Sequence, residues 1–304
     1  MNKSLRFTLN CLFIAFTGIV LVSCGGSSSK ETSAEQVAFE EAEDKIVTDM
    51  DKVIHDLPSP TEVPYLLQAT GADFNADMIN DLENLPKYLT NEDESALNLG
   101  IYATDMGYLI SYQQLEKATD YLESAQKLAE SLGVASVFSV ATIEKFQNNL
   151  DNPDSLNKIL TQSIVDVENR LENADRVSVA ALILTGSFIE GLYLAVEVIE
   201  TYPTDVLDED TRNLILEPMF KVVLDQKKPL VDVIALMKDI PQDDIITHMI
   251  TELNILRILY DTDLAEIEKQ IAENTGDFIL TEDMLIDITT EVKRIRTDIV
   301  EFQN

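Results

Sequence analysis

From Arg176 to Tyr202 the chain is apolar almost all the way round. Val177, Val179, Leu182, Ile183, Leu184, Phe188, Ile189, Leu192, Leu194, Val198 and Ile199 leave a helix no polar face to turn toward water. Only two surroundings accept such a helix: a bilayer, or the middle of a bundle whose other helices cover it. Glu190, Glu197 and Glu200 favour the bundle, because each would be costly in hydrocarbon. Gly186 and Gly191 are expected to let a neighbouring helix approach closely, although each costs about 1 kcal/mol in helix propensity.

The rest of the chain supplies the covering helices. Period-3.6 patterning dominates and strand alternation is nearly absent. A first helix is expected over 34–57, with Phe39, Ala42, Ile46, Met50, Val53 and Leu57 on one face, before Pro58, Pro60 and Pro64 break the chain. Short irregular pieces lead to Pro86. Asn91 and the acids Glu92, Asp93 and Glu94 open a long helical stretch that Gly133 ends. Further helices are expected over 135–150, 153–173, 208–226 (kinked or interrupted at Pro218) and 229–240. A long one follows Pro241, with Ile246, Met249, Leu253, Leu256 and Tyr260 in one stripe. After Gly276, Leu285, Ile288, Val292, Ile295, Ile299 and Phe302 step by threes and fours, a seam for packing on other helices. No repeat of fixed period emerges. The expectation is an all-α fold, an irregular antiparallel bundle of roughly 8–10 helices, without a boundary inside residues 34–304.

Residues 1–23 are read separately, as a signal peptide. Lys3 and Arg6 precede an apolar run that is shorter than the roughly 20 residues a spanning helix needs. Leu21-Val22-Ser23-Cys24 closes the run and resembles a bacterial lipobox, which implies cleavage before Cys24 and lipidation of that residue. Residues 24–33, with Gly25-Gly26-Ser27-Ser28-Ser29, make a flexible leash. Several acyl chains on one residue would hold the protein to a membrane. Cys11 would leave with the signal, so no disulfide is expected. Gly25 rather than Asp follows Cys24, which by analogy with known sorting rules points to the outer membrane.

The formal net charge is −33, and loss of Lys3 and Arg6 leaves 20 basic against 55 acidic residues, a net −35. Such a chain has no basic surface for nucleic acid. Its 45% apolar content argues against disorder. No phosphate loop, dinucleotide fingerprint, nucleophile elbow or zinc-protease motif is present, and no cofactor is expected. The histidines are His55, alone near the end of the first helix, and His248, which shares a helical face with Asp244 and Glu252. Residues eight apart on a helix lie about 12 Å apart along its axis, so Asp244 and Glu252 cannot ligate one ion together. A solvated polar face is the reading, and no metal site is expected. The acid runs at 92–94, 208–210 and 243–244 read as helix starts.

Asp105 and Glu190 stand out as carboxylates inside strongly apolar helical segments. A buried carboxylate must be paired or protonated. A structural polar contact with tyrosines is one reading; a candidate ligand pocket of Asp105, Tyr108 and Glu190 is the other. Leu99-Gly100-Ile101-Tyr102-Ala103-Thr104-Asp105-Met106-Gly107-Tyr108 and Ile189-Glu190-Gly191-Leu192-Tyr193-Leu194-Ala195 resemble segments of all-helical envelope lipoproteins common in Bacteroidota. The resemblance implies a fold and an address and carries no activity. The expected function is a non-catalytic, lipid-anchored envelope protein that binds or scaffolds another protein. The alternative is a helical receptor for a small ligand or cation around Asp105 and Glu190.

Overall fold

In a computed structural model of the chain, the described residues are 62–172, 176–203, 207–273 and 281–301, with positions 45, 46, 48, 50, 52 and 53 of a preceding helix. Cys24, the Gly/Ser segment and His55 lie outside them. The fold is all-α, and no strand occurs among the described residues. The helices are α1 (Glu62–Ala69), α2 (Glu92–Ser111), α3 (Leu115–Ser131), α4 (Val140–Gln147) and α5 (Pro153–Glu172). They continue as α6 (Val177–Thr201), α7 (Glu209–Asp225), α8 (Lys227–Asp239), α9 (Asp244–Glu273) and α10 (Ile286–Glu301). Short 3-10 turns and the single turn Leu85–Tyr88 connect α1 to α2.

The centre is a pair of helices. α6 is buried along nearly its whole length, as its uniform apolarity requires. It is long and apolar enough to cross a membrane, yet 83% of its most apolar window lies inside the protein. Against it packs α2, buried from Ser95 to Ile110. The two meet where neither carries a side chain. A Cβ placed on Gly100 would collide with the Ile183 carbonyl oxygen and lie 2.6 Å from the Ser187 nitrogen. One placed on Gly186 would collide with the Leu97 carbonyl, its carbon 2.8 Å away. Gly191 is different, since a Cβ there meets only Val63 Cγ2, at 4.0 Å, an ordinary contact.

The bundle is irregular in direction. α3 folds back antiparallel on α2, placing Tyr121 beside Tyr102 and Ser131 Oγ 2.9 Å from Ser95 Oγ. α9 and α10 are likewise antiparallel, joined through Glu252 and Arg294. α2 and α6 instead run the same way, with Glu92 beside Arg176 at their starts and Thr104 Oγ1 3.0 Å from Ser187 Oγ further on. The intervening α3, α4 and α5 return the chain to the starting end.

The long stretch that periodicity carries to Gly133 is broken once, at 112–114. Gln113 takes φ 57°, in the left-handed region. Its N–H reaches the Ile110 carbonyl (3.0 Å) and that of Gln114 the Leu109 carbonyl (2.8 Å), the paired bonds of a Schellman cap. Gly133 makes the same cap at the end of α3, with φ 71° and bonds from Gly133 to Glu130 and from Val134 to Ala129. Glycine suits this conformation and glutamine is strained in it. Gln113→Gly is therefore expected to raise stability by about 0.5–1 kcal/mol, measured by denaturant unfolding. Elsewhere α7 runs through Pro218. The carbonyl that loses its partner belongs to Leu214, on the solvent side of that helix, where water can serve it.

Candidate functional site

The polar chemistry of this apolar core gathers between α2, α6 and α10. Asp105 and Glu190 are both fully buried. Arg296, on α10, reaches in from the edge with only 13% of its side chain exposed. Its Nε donates to Glu190 Oε2 at 3.0 Å and an Nη to Oε1 at 3.2 Å, a two-pronged grip on one carboxylate. The guanidinium also lies over the Tyr193 ring, 4.5 Å from its centroid. Burial alone would pull the Arg296 pKa down, but the Glu190 charge and hydrogen bonds, with Asp105 beyond, hold it above its ordinary value.

Asp105 is the second carboxyl in this place. Its Oδ2 accepts the Asn80 backbone N–H at 3.0 Å, whereas Oδ1 receives no N–H or O–H donor. Glu190 is near enough for its charge to act on Asp105. Burial and then the Glu190 charge push the Asp105 pKa well above the carboxylate range, outweighing Arg296 and the Asn80 bond. One guanidinium neutralises one carboxylate, so the other keeps its proton. The arrangement is a carboxyl on Asp105, pushed toward its protonated form, beside a Glu190 carboxylate clamped by Arg296.

Asn80 ties this pair to the rest of the protein. It sits in the irregular segment ahead of Pro86, and every polar group it has is used. Its backbone carbonyl accepts the Tyr121 hydroxyl at 2.6 Å. Its Nδ2 donates to Tyr88 Oη and to Asn98 Oδ1, both at 3.0 Å, and its Oδ1 accepts Asn84 Nδ2 at 3.1 Å. The Tyr88 hydroxyl donates to the Val300 carbonyl at 2.9 Å, so the network ends on α10, the helix that carries Arg296. A buried network with its members satisfied is rigid, and each partner is costly to remove.

The structure thus brings Asp105 and Glu190 together, with the Tyr108 hydroxyl bonded elsewhere. The Tyr108 hydroxyl accepts the Asn75 N–H at 2.9 Å, on the other side of the Ala76–Met78 turn. Asp244 is exposed. His248 Nδ1 is 3.8 Å from Glu252 Oε1, and Glu252 is taken up by Arg294. Among the described residues, no group of three or more His, Cys, Asp and Glu is placed to hold a metal ion. Sequence reasoning missed Arg296 and Asn80. Arg296 had a signal, since it follows Val292 by four and precedes Ile299 by three and so stands beside the apolar seam. Comparison with protein-family models, curated proteins and solved structures finds no match to this chain.

Proposed function

We propose that the protein is a non-catalytic, lipid-anchored component of the cell envelope, tethered through Cys24, whose helical body binds or scaffolds another protein. The observation that carries the reading is on α9. Ile255 and Ile258, three apart on one face of α9, are 41% and 54% exposed on a strongly acidic protein, an arrangement that suits a partner. The lipobox-like Leu21-Val22-Ser23-Cys24 supports the anchor and the envelope address, with the outer membrane favoured by Gly25. A receptor for a cation or small ligand at Asp105 and Glu190 has less support, because Arg296 already supplies the cation there.

The test is in living cells. Tagged full-length protein is crosslinked and purified from the envelope beside a Cys24→Ala version, with incorporation of labelled acyl chains followed in both. A partner at near-equal stoichiometry that falls away in Cys24→Ala, together with label on the wild type only, is the expected result. Purification of the protein alone after crosslinking would overturn the partner reading, and unlabelled wild-type protein would overturn the anchor.

A further inference from the structure

A cavity of about 400 Å³ opens at the C-terminal end of α6. Met78 and Val198, both buried, form its floor. Its walls keep apolar surface available to a ligand, since Phe74, Tyr202 and Leu207 are only half-buried. These walls are held in place. Phe74 stacks on Tyr108, with ring centroids 5.5 Å apart and planes at 30°. The Asn75 N–H donates to the Tyr108 hydroxyl at 2.9 Å, and the Tyr202 hydroxyl donates to the Thr70 carbonyl at 3.2 Å. The loop after α1 is thus tied to α2 on one side and to the end of α6 on the other. A cavity of this size, formed in advance, with apolar walls and few polar groups, has the features of a small-molecule site.

Its charge is one-sided. Asp73 lines the cavity, is exposed, and has no hydrogen-bond or ion-pair partner among the described residues. The cations beside these elements are engaged elsewhere. Lys117 Nζ lies over the Phe74 ring, 5.2 Å from its centroid. Arg212 bonds the Ile199 carbonyl and Glu282, and Lys293 pairs with Glu197 and Glu200. α6 ends at the cavity without a basic residue in its last turn, and the C-terminal end of a helix is its negative pole. One carboxylate above an apolar floor is a poor set of ligands for a metal ion and suits an organic cation.

We propose that this cavity binds a small organic ammonium compound. Its apolar body lies against Met78, Val198, Phe74 and Leu207, and its ammonium group pairs with Asp73. An anion is repelled by the same carboxylate and by the end of α6. The site is separate from the Asp105–Glu190 pair, and it does not depend on the partner reading above, so either can fail alone.

The chain has no tryptophan, so an indole ligand can be followed by its own fluorescence. Full-length protein in zwitterionic nanodiscs is titrated with tryptamine and with indole-3-propionate, which carries a carboxylate instead of the amine. Empty discs serve as reference, and anisotropy of the indole emission reads binding. Tryptamine is expected to bind saturably and the anion not to bind. A large excess of methylammonium, which has the charge without the body, should leave tryptamine bound. Asp73→Asn removes the charge at an exposed position without a partner, so folding is retained. It should weaken tryptamine binding at least about tenfold. Asp77→Asn, the same change in the Ala76–Met78 turn and outside the cavity lining, should weaken it less than about twofold. Absence of saturable tryptamine binding overturns the proposal, as does equal binding of indole-3-propionate. Equal weakening by both variants, or displacement by methylammonium, also overturns it, because either would mean general attraction of cations to a protein of net charge −33.

Discussion

Gly186→Ala is expected to lower the stability of the protein by about 3 kcal/mol or more, or to prevent folding outright. Adding a methyl group to a packed interior costs about 1–3 kcal/mol when side chains can move aside. Here the obstacle is the backbone of α2 at Leu97, which cannot rotate away, so α2 and α6 must separate along the most buried contact in the molecule. Gly100→Ala meets the backbone at Ile183 and Ser187 and should behave alike. Gly191→Ala is the internal comparison. It lies in the same helix, has only Val63 Cγ2 nearby, and should be neutral or stabilising by up to about 1 kcal/mol through helix propensity. Denaturant unfolding of the three variants checks the claim. If Gly186→Ala and Gly191→Ala were equally tolerated, the close crossing would be wrong.

The second large effect belongs to Arg296. Arg296→Met keeps an unbranched side chain near Tyr193 and removes the cation from a buried carboxylate pair. Breaking a buried ion pair from one side costs about 3–5 kcal/mol, because the charge left behind has no partner. Asp105→Asn is expected to do the opposite. The amide oxygen still accepts from Asn80, and the neutral amide removes the charge that Glu190 repels.

The pH dependence separates these ideas. Asp105 has a raised pKa in the fold and an ordinary one, about 3.9, in the unfolded chain. Above that value the unfolded chain has released a proton that the folded protein keeps. This group's contribution is therefore largest in acid and declines as pH rises, by up to about 1.4 kcal/mol per unit, until pH reaches the raised folded value. Asp105→Asn lacks this decline. Its stability relative to the wild type should rise as pH increases above the ordinary carboxyl value, measured by urea unfolding at each pH. A difference independent of pH would mean that Asp105 is ionised in the fold and that no proton is shared.

These variants also mark what could be read along the chain. The class and most helices were legible, because a helix needs only its own periodicity and its own stops. Asn91 caps α2, Gly133 ends α3, and the stripe from Ile246 to Tyr260 is the buried face of α9. The central place of α6 followed from its having no polar face. Asp105 and Glu190 were conspicuous as acids among apolar neighbours, which is a local property.

Partnership was not legible, since it depends on how helices distant in sequence are laid together. Gly186 and Gly191 look alike in the sequence, yet only Gly186 faces a glycine-bearing turn of α2. Arg296 reaches Glu190 across 106 positions, and Asn80 reaches Asp105 from a segment without periodicity. The break at Gln113 has neither glycine nor proline to announce it; α3 folds back there because Tyr121 and Tyr102 meet and Tyr121 bonds to Asn80. The sequence by itself determined that the chain forms helices and that one of them must be central. The tertiary structure alone decided which glycine sits against a neighbouring backbone and which carboxyl is pushed toward its protonated form, because steric contact and charge depend on distance in space.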